Sequence, residues 1–382
     1  MAGKEPAIMT IWRTNMDFIK GMDLSTLAEV EQCGGVFRDH GNAADAMAIL
    51  QSYGMNYLRL RLWNHPYDDQ GKSFGAGTCD IDVVTGLAKR AKALGIKWCL
   101  DLHYSDFWTD PGKQRVPRAW KGMTAEQLAD AVYDFTKDSL QHLKDADVLP
   151  SMVAVGNEIT NGLLWPLGQK PNWDNIVLFL NAGIRAVREF DPSISVMLHL
   201  DAGGNNEMYR DWFDHYFAHH GADFDYMGLS YYPFWHGTME DLRANMNDMA
   251  HRYHKDMIVA EVSTGFTLED YKDYEKLPDD KRKGMATKPE LAAKVPYEMS
   301  PEGQSKFMQD LMELLKGIDE GRGKGFMYWE PAWIPVPGSE WASPEAIAYM
   351  QEKGPGGNEW ANQALFDYDG NALPALAVIR DF

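Results

Sequence analysis

Ser151-Met-Val-Ala-Val-Gly-Asn-Glu-Ile-Thr160 is the stretch on which the fold turns. Four apolar residues, Met152 to Val155, lead through a glycine to Asn157 and Glu158. An ordinary core strand does not end in a carboxylate, because a buried charge without a partner costs several kcal/mol in practice. A second run is built the same way: Met257-Ile-Val-Ala leads to Glu261, and Val-Ser-Thr264 follows. Two carboxylates at the ends of separate buried strands of one sheet point to acid/base or nucleophilic chemistry.

Six more apolar runs flank these two, giving eight, at 18–24, 57–64, 97–104, 152–159, 195–203, 225–233, 257–264 and 325–333. Few of them alternate cleanly, as expected of strands buried on both faces. Helical patterns lie between several. Asn42 is placed to cap a helix carrying Ala46, Met47, Ile49 and Leu50, and Asp80 to cap one carrying Val84, Leu87, Ala88 and Ala91. Thr124 and Gln127 form a capping-box pattern ahead of Leu128, Phe135 and Leu143. Residues 173–189 repeat apolar side chains at helical spacing, and Ser300-Pro301-Glu302 opens another helix, with Phe307, Leu311, Leu314 and Leu315 inward. Strand and helix in alternation predict a (β/α)₈ TIM barrel forming a single domain over 1–382. Two stretches break the rhythm, 267–299 after the seventh strand and 335–361 after the eighth. Long loops there are expected to build the cleft at the carboxyl face.

In such a barrel the strand carboxyl ends converge on one space. The second run supplies Arg59, Arg61 and Trp63 there, and the third Asp101, His103, Asp106 and Trp108. The fourth and fifth add Asn157, Glu158, His199 and Asp201; the last three add Ser230, Tyr232, Glu261, Trp329, Glu330 and Trp333. Any one of these reads most simply as a satisfied structural pair. The same bias at strand end after strand end does not.

Composition narrows the partners. With 37 basic and 56 acidic residues the chain carries a formal charge of −19. That argues against nucleic acid and anionic membranes and leaves neutral substrates open. Thirteen tryptophans exceed what a core needs and suit sugar stacking. Three cysteines, Cys33, Cys79 and Cys99, leave room for one bridge at most, and Cys99 reads as an inert core thiol. There is no apolar run of about 18 residues to span a membrane. The first twenty residues lack an uninterrupted signal core, so the expectation is a cytoplasmic protein or one whose signal has been removed, acting as a monomer.

The chain has no G-x-S-x-G elbow, H-E-x-x-H, calcium-loop or phosphate-loop pattern. Asp101, His103 and His199 are conceivable metal ligands, but an H-x-H pair is absent. Two glutamates among aromatics fit glycoside hydrolysis best, retaining if the carboxyls stand ~5–5.5 Å apart and inverting at ~6.5–9.5 Å. Glu158 is then the general acid/base and Glu261 the nucleophile, kept ionised by Arg59 or Arg61. Asn157 is placed to reach a sugar hydroxyl beside the reacting carbon, Tyr232 to bond the nucleophile, and Trp329 to floor the ring.

At these residues the chain resembles glycoside hydrolase family 53, the endo-β-1,4-galactanases. The resemblance is carried by V-G-N-E-I-T-N-G-L-L-W-P (155–166), G-M-D-L-S (21–25), Y-L-R-L-R-L-W-N (57–64), D-L-H-Y-S-D-F-W-T-D-P (101–111), S-Y-Y-P-F (230–234), S-P-E-G-Q (300–304) and Y-W-E-P-A-W (328–333). It implies a retaining barrel hydrolase of β-1,4-galactan, the type I arabinogalactan of pectin side chains, cut internally. It implies Glu158 as acid/base and Glu261 as nucleophile, with Arg59, His103, Asn157, Tyr232 and Trp329 lining the reacting subsite. Bacterial relatives often hold calcium through an Asp-x-Asp-x-His-x-Asn run. Glu269-Asp270-Tyr271-Lys272-Asp273 departs from it, so neither calcium nor another cofactor is expected. Some relatives carry a tryptophan after the fifth strand; Ala-Gly-Gly-Asn follows Asp201 here. The same machinery on mannan, xylan or glucan, galactan binding without turnover, and a metal-dependent barrel enzyme are the competing readings.

Overall fold

The computed structural model describes residues 18–271, 289–353 and 356–382 of the 382-residue chain. Eight parallel strands close into a barrel: β1 (Ile19–Asp23), β2 (Tyr57–Leu62), β3 (Lys97–Leu102), β4 (Met152–Val155), β5 (Ser195–Leu200), β6 (Tyr226–Tyr231), β7 (Asp256–Val262) and β8 (Gly323–Trp329). Each pairs with its neighbour in sequence, and β1 closes on β8. All eight sequence runs therefore become strands of the barrel. Helices cover the outside, so both strand faces are buried and the near-continuous apolar runs follow.

The helix caps are local. Asp80 accepts from Val83 N, Thr124 closes a capping box with Gln127, and Ser300 accepts from Gly303 N ahead of Pro301. The first helix start is corrected. Asp45, not Asn42, caps Ala46–Ser52, because Asn42–Ala44 pairs with Phe37–Asp39 in a small antiparallel hairpin. All three cysteines are free, so the bridge left open by the sequence does not form. Cys99 sits inside the barrel, where burial pushes its thiol up and makes it unreactive.

Alternation along the strands decides what fills the interior. Ile19, Tyr57, Cys99, Met152, Ala154, Met197, Tyr226, Ile258, Ala260 and Met327 form an apolar plug. One or two steps further along the same strand faces come Asp23, Arg59, Arg61, Asp101, His199 and Ser230, all buried. The barrel is thus oily at the amino end and ionic at the carboxyl end. β7 breaks strict alternation. Ile258 and Ala260 face inward, yet the pairing with β6 slips between Leu229 and Ser230, which faces Glu261. This bulge re-aims Glu261 into the ionic layer.

The loops after β7 and β8 are stitched together. Phe266 N donates to Asn362 O at 2.9 Å and Asn362 Nδ2 to Thr267 O at 3.0 Å. Buried Gln304 reaches Thr264 O at 3.1 Å and Ala364 O at 3.0 Å.

Barrel closure makes a demand on one residue. Gly325 in β8 has φ +136°, and a Cβ there would stand 2.1 Å from Ile19 O on β1. Gly325→Ala is expected to lower stability by about 2 kcal/mol or more, read as a fall in thermal midpoint; an unchanged midpoint would contradict this account of closure.

Candidate active site

The ionic layer is built around two arginines on β2. Arg59 Nη1 donates to Asp23 Oδ2 at 2.7 Å, and Nη2 donates to Asp101 Oδ2 and Asn157 Oδ1, both at 2.8 Å. The same Nη2 stands 2.9 Å from Glu261 Oε1. Arg61 pairs with Asp23 at 3.0 Å and Glu330 at 2.7 Å, and its guanidinium lies over the Trp108 ring at 4.6 Å. Asp101 would be raised by burial, but Arg59 and then His103 bring it down to about 2. His103 is oriented from both sides. Trp63 Nε1 donates to its Nδ1 at 3.1 Å, leaving Nε2–H for Asp101 Oδ2 at 3.0 Å.

The two glutamates reach this layer by different backbone devices. Glu261 is carried by the β7 bulge. Glu158 follows Gly156 (φ +86°) and itself adopts φ +46°, a left-handed conformation that costs a non-glycine residue about 1–2 kcal/mol. Tyr104, Ala202 and Glu330, just beyond β3, β5 and β8, share that conformation. These four lie at the carboxyl face, where functional sites often store strain.

Their surroundings differ. Glu261 has Arg59 on Oε1 and accepts from Tyr232 Oη on Oε2 at 2.9 Å. Glu158 lies 2.6 Å from Ser230 Oγ and has no ion pair among the described residues. Burial, followed by the negative charges of Glu261 and Asp201, pushes the Glu158 carboxyl well above the usual range. Burial pushes Glu261 up too, but Arg59 opposes it. If one proton is shared by the two, it rests on Glu158.

Both open onto a cleft of about 360 Å³. Of the sequence-chosen residues, Arg61, His103, Trp108, Asn157, Asp201, Tyr232, Trp329 and Trp333 line it beside the glutamates. Arg59, Trp63 and Asp106 do not. Arg59 lies beneath the glutamates, Trp63 packs under His103 and Trp108, and Asp106 is held by Arg118, which donates from its backbone N at 2.8 Å and Nε at 3.1 Å. Asn157 gives one N–H to Thr109 O at 2.9 Å.

The cleft also takes in residues the sequence did not single out. Trp360 meets Trp329 at 4.7 Å between ring centroids, and Trp341 O accepts from Trp108 Nε1 at 2.9 Å. Trp235, 49% exposed, stands by Tyr232 at the rim. For Trp341 and Trp360 the signal was the tryptophan surplus together with the loop at 335–361; Trp235 directly follows the 230–234 stretch. Among the described residues no group of three or more His, Cys, Asp or Glu is arranged to hold a metal ion; Lys272 and Asp273 of the calcium-loop comparison lie outside those residues.

An aromatic cleft floored by two unequal carboxylates in a (β/α)₈ barrel suits sugar chemistry, and the comparisons agree. The profile of Glycosyl hydrolase family 53 matches residues 19–379. An endo-β-1,4-galactanase of Bacillus subtilis (strain 168) is 37% identical over 96% of this chain and 86% of its own length. An arabinogalactan endo-β-1,4-galactanase of Cellvibrio japonicus (strain Ueda107) is 33% identical over 96% of this chain and 91% of its own. Among solved structures, an Ignisphaera aggregans GH53 catalytic domain superposes with a TM-score of 0.87 at 38% identity, covering 95% of this chain and 96% of that one. Fold, cleft and sequence agree along almost the whole length, and the chain belongs to glycosyl hydrolase family 53.

Proposed function

We propose that this chain is an endo-acting, retaining β-1,4-galactanase, with Glu158 as acid/base and Glu261 as nucleophile. The observation that carries the role assignment is the unequal setting of the two carboxyls. Glu261 has a guanidinium and a phenol to hold its charge, whereas Glu158 is buried with a hydroxyl. The substrate follows from the activities of the relatives and from an open cleft walled by indoles, which suits a chain bound along its length.

The chemistry then runs in two displacements. Glu261 attacks the anomeric carbon as the Glu158 carboxyl gives its proton to the departing glycosidic oxygen. The Glu158 carboxylate next takes a proton from a water molecule, whose oxygen displaces Glu261 and frees the sugar with its configuration retained. Arg59 holds Glu261 in its attacking state, and Trp329 faces the ring.

Incubation with potato-type galactan should release short galacto-oligosaccharides from the chain interior, while mannan, xylan and β-glucan give little. Equal release from another β-1,4-glycan would move the substrate assignment. Glu261→Ala should abolish turnover on every substrate. Glu158→Ala should lose about 10²–10⁴-fold on galactan but still form the galactosyl-enzyme from aryl galactosides whose leaving group needs no proton; equal loss on both substrates refutes the roles. The profile of kcat/KM should be bell-shaped. Activity falls at low pH as Glu261 gains a proton, and at high pH as Glu158 loses one, with the upper limb above the ordinary glutamate range of ~4.3. An upper limb at an ordinary carboxylate pKa would contradict the burial argument.

A further inference from the structure

One set of contacts joins the two glutamates, through Arg59 and then through three groups that no step above uses. Asn157 is fixed in orientation, since its Oδ1 takes Arg59 Nη2 at 2.8 Å and its Nδ2 donates to Thr109 O at 2.9 Å. Its oxygen also lies 3.0 Å from His199 Nδ1. An amide oxygen accepts only, so His199 must carry its hydrogen on Nδ1. A neutral imidazole then has a bare lone pair on Nε2, 2.9 Å from Ser230 Oγ. Ser230 owns one hydrogen. While Glu158 is ionised, Ser230 Oγ donates to its Oε1, 2.6 Å away; if that hydrogen goes to His199 instead, Ser230 Oγ can only accept there, and Glu158 must be protonated.

We propose that Asn157, His199 and Ser230 form a polarised hydrogen-bond wire, oriented by Arg59, that keeps Glu158 in its acid form before each glycosyl transfer. This rests on the reading of Glu158 as the acid/base. With Glu158 protonated, every member of the wire has a partner. With Glu158 ionised, Ser230 must turn its one hydrogen to the carboxylate, which leaves the buried Nε2 of His199 with no donor. A buried acceptor left unmade is costly, so the wire resists loss of the Glu158 proton. The Ser230 hydroxyl therefore swings once per half-reaction. It turns toward Glu158 when that proton leaves for the glycosidic oxygen, and back to His199 when water returns one. His199 and Ser230 are positioning residues, since they act through Glu158.

The imidazole is neutral, as the wire requires. It is wholly buried, and burial, reinforced by Arg59, holds it down at about 3. The charged groups facing it are Arg59 on β2 and Asp101 on β3, and the titratable ones are His103 beyond β3 and His236 beyond β6, both held toward the neutral form by burial. Those facing Glu158 are Glu261 on β7, Asp201 beyond β5 and Asp110 in the loop after β3. Tyr232, beyond β6, stands close to both glutamates.

His199→Phe removes the acceptor that competes for the Ser230 hydrogen. Ser230 can then donate freely to an ionised Glu158. The upper limb of the kcat/KM profile should move down by roughly one pH unit, the scale of one buried hydrogen bond. The apolar ring by itself would move the limb up, so the direction is diagnostic. His199→Gln offers an amide N–H to Asn157 and an oxygen to Ser230, and should restore the limb. A limb that stays put or rises in a folded Phe variant overturns the wire. Neutron diffraction from the unmodified protein near neutral pH reads the same point whether or not either variant folds. Hydrogen on His199 Nδ1 and on Glu158, with the Ser230 hydrogen aimed at Nε2, is expected; hydrogen on Nε2 overturns the proposal. The neutron result does not depend on turnover, whereas the Glu158→Ala comparison on activated substrates tests the acid/base role separately.

Discussion

The structure is organised around the buried guanidinium of Arg59. It is wholly removed from water and touches Asp23, Asp101, Asn157 and Glu261, which come from four different strands or their ends. A buried charge of this kind is tolerated only when its partners are complete, and removing one partner costs more than the pair contributes. With Arg61 it supplies two positive charges against four carboxylates in contact, those of Asp23, Asp101, Glu261 and Glu330. His103 and His199 are both pushed toward neutrality by burial and do not close the gap. A closed interior with an excess of carboxylates favours retention of protons. Burial lifts Glu330 to about 7, despite the opposition of Arg61, and lifts Glu158 well above its usual range. Arg59 holds Asp101 low and opposes the upward push of burial on Glu261, whereas Glu158 has no such neighbour among the described residues.

The backbone delivers the carboxylates to that layer against its own preferences. Regular β7 pairing would turn Glu261 outward with Val259; one slipped residue turns it in. Glu158 is reached through a left-handed turn that Gly156 opens, and a Cβ at Gly156 would stand 2.6 Å from Ile159 Cγ2. These departures are held by what surrounds them. The apolar plug below fixes the strands, and the outer helices clamp them. Gln114, tucked under the turn, donates to Asn157 O at 2.8 Å.

That division explains what was legible in the sequence. Strand runs and helix caps are local signals, and each of the eight strands was visible from a stretch of a few residues. The two glutamates stood out because each breaks an apolar run. Asn42 was mistaken for a cap because a hairpin of three-residue strands leaves no periodicity, whereas Asp45 has the side chain that reaches Ala48 N. Trp63 and Asp106 sit on the right loops but face under the cleft, a distinction of side-chain direction that strand-end position does not carry. Trp235, Trp341 and Trp360 were hidden in loops whose path depends on contacts far along the chain. Ser230 was noted only as one polar residue at a strand end, because its relation to His199 and Glu158 exists only once β4, β5 and β6 lie side by side.

The cleft above completes the electrostatics. Trp108, Trp329 and Trp360 form a continuous apolar wall, and the guanidinium of Arg61 is sandwiched against the first two, at 4.6 and 5.5 Å from their centroids. A sugar lying on that wall displaces water from above both carboxyls. Interactions below it then act at lower effective dielectric, and every bias already present grows. Arg59 holds Glu261 charged more firmly, because an ion pair strengthens when it is dried. Glu158 is given no cation and keeps its proton more firmly for the same reason. The inequality between two chemically identical side chains is thus written into the packed barrel, and in the proposed mechanism the substrate sharpens it.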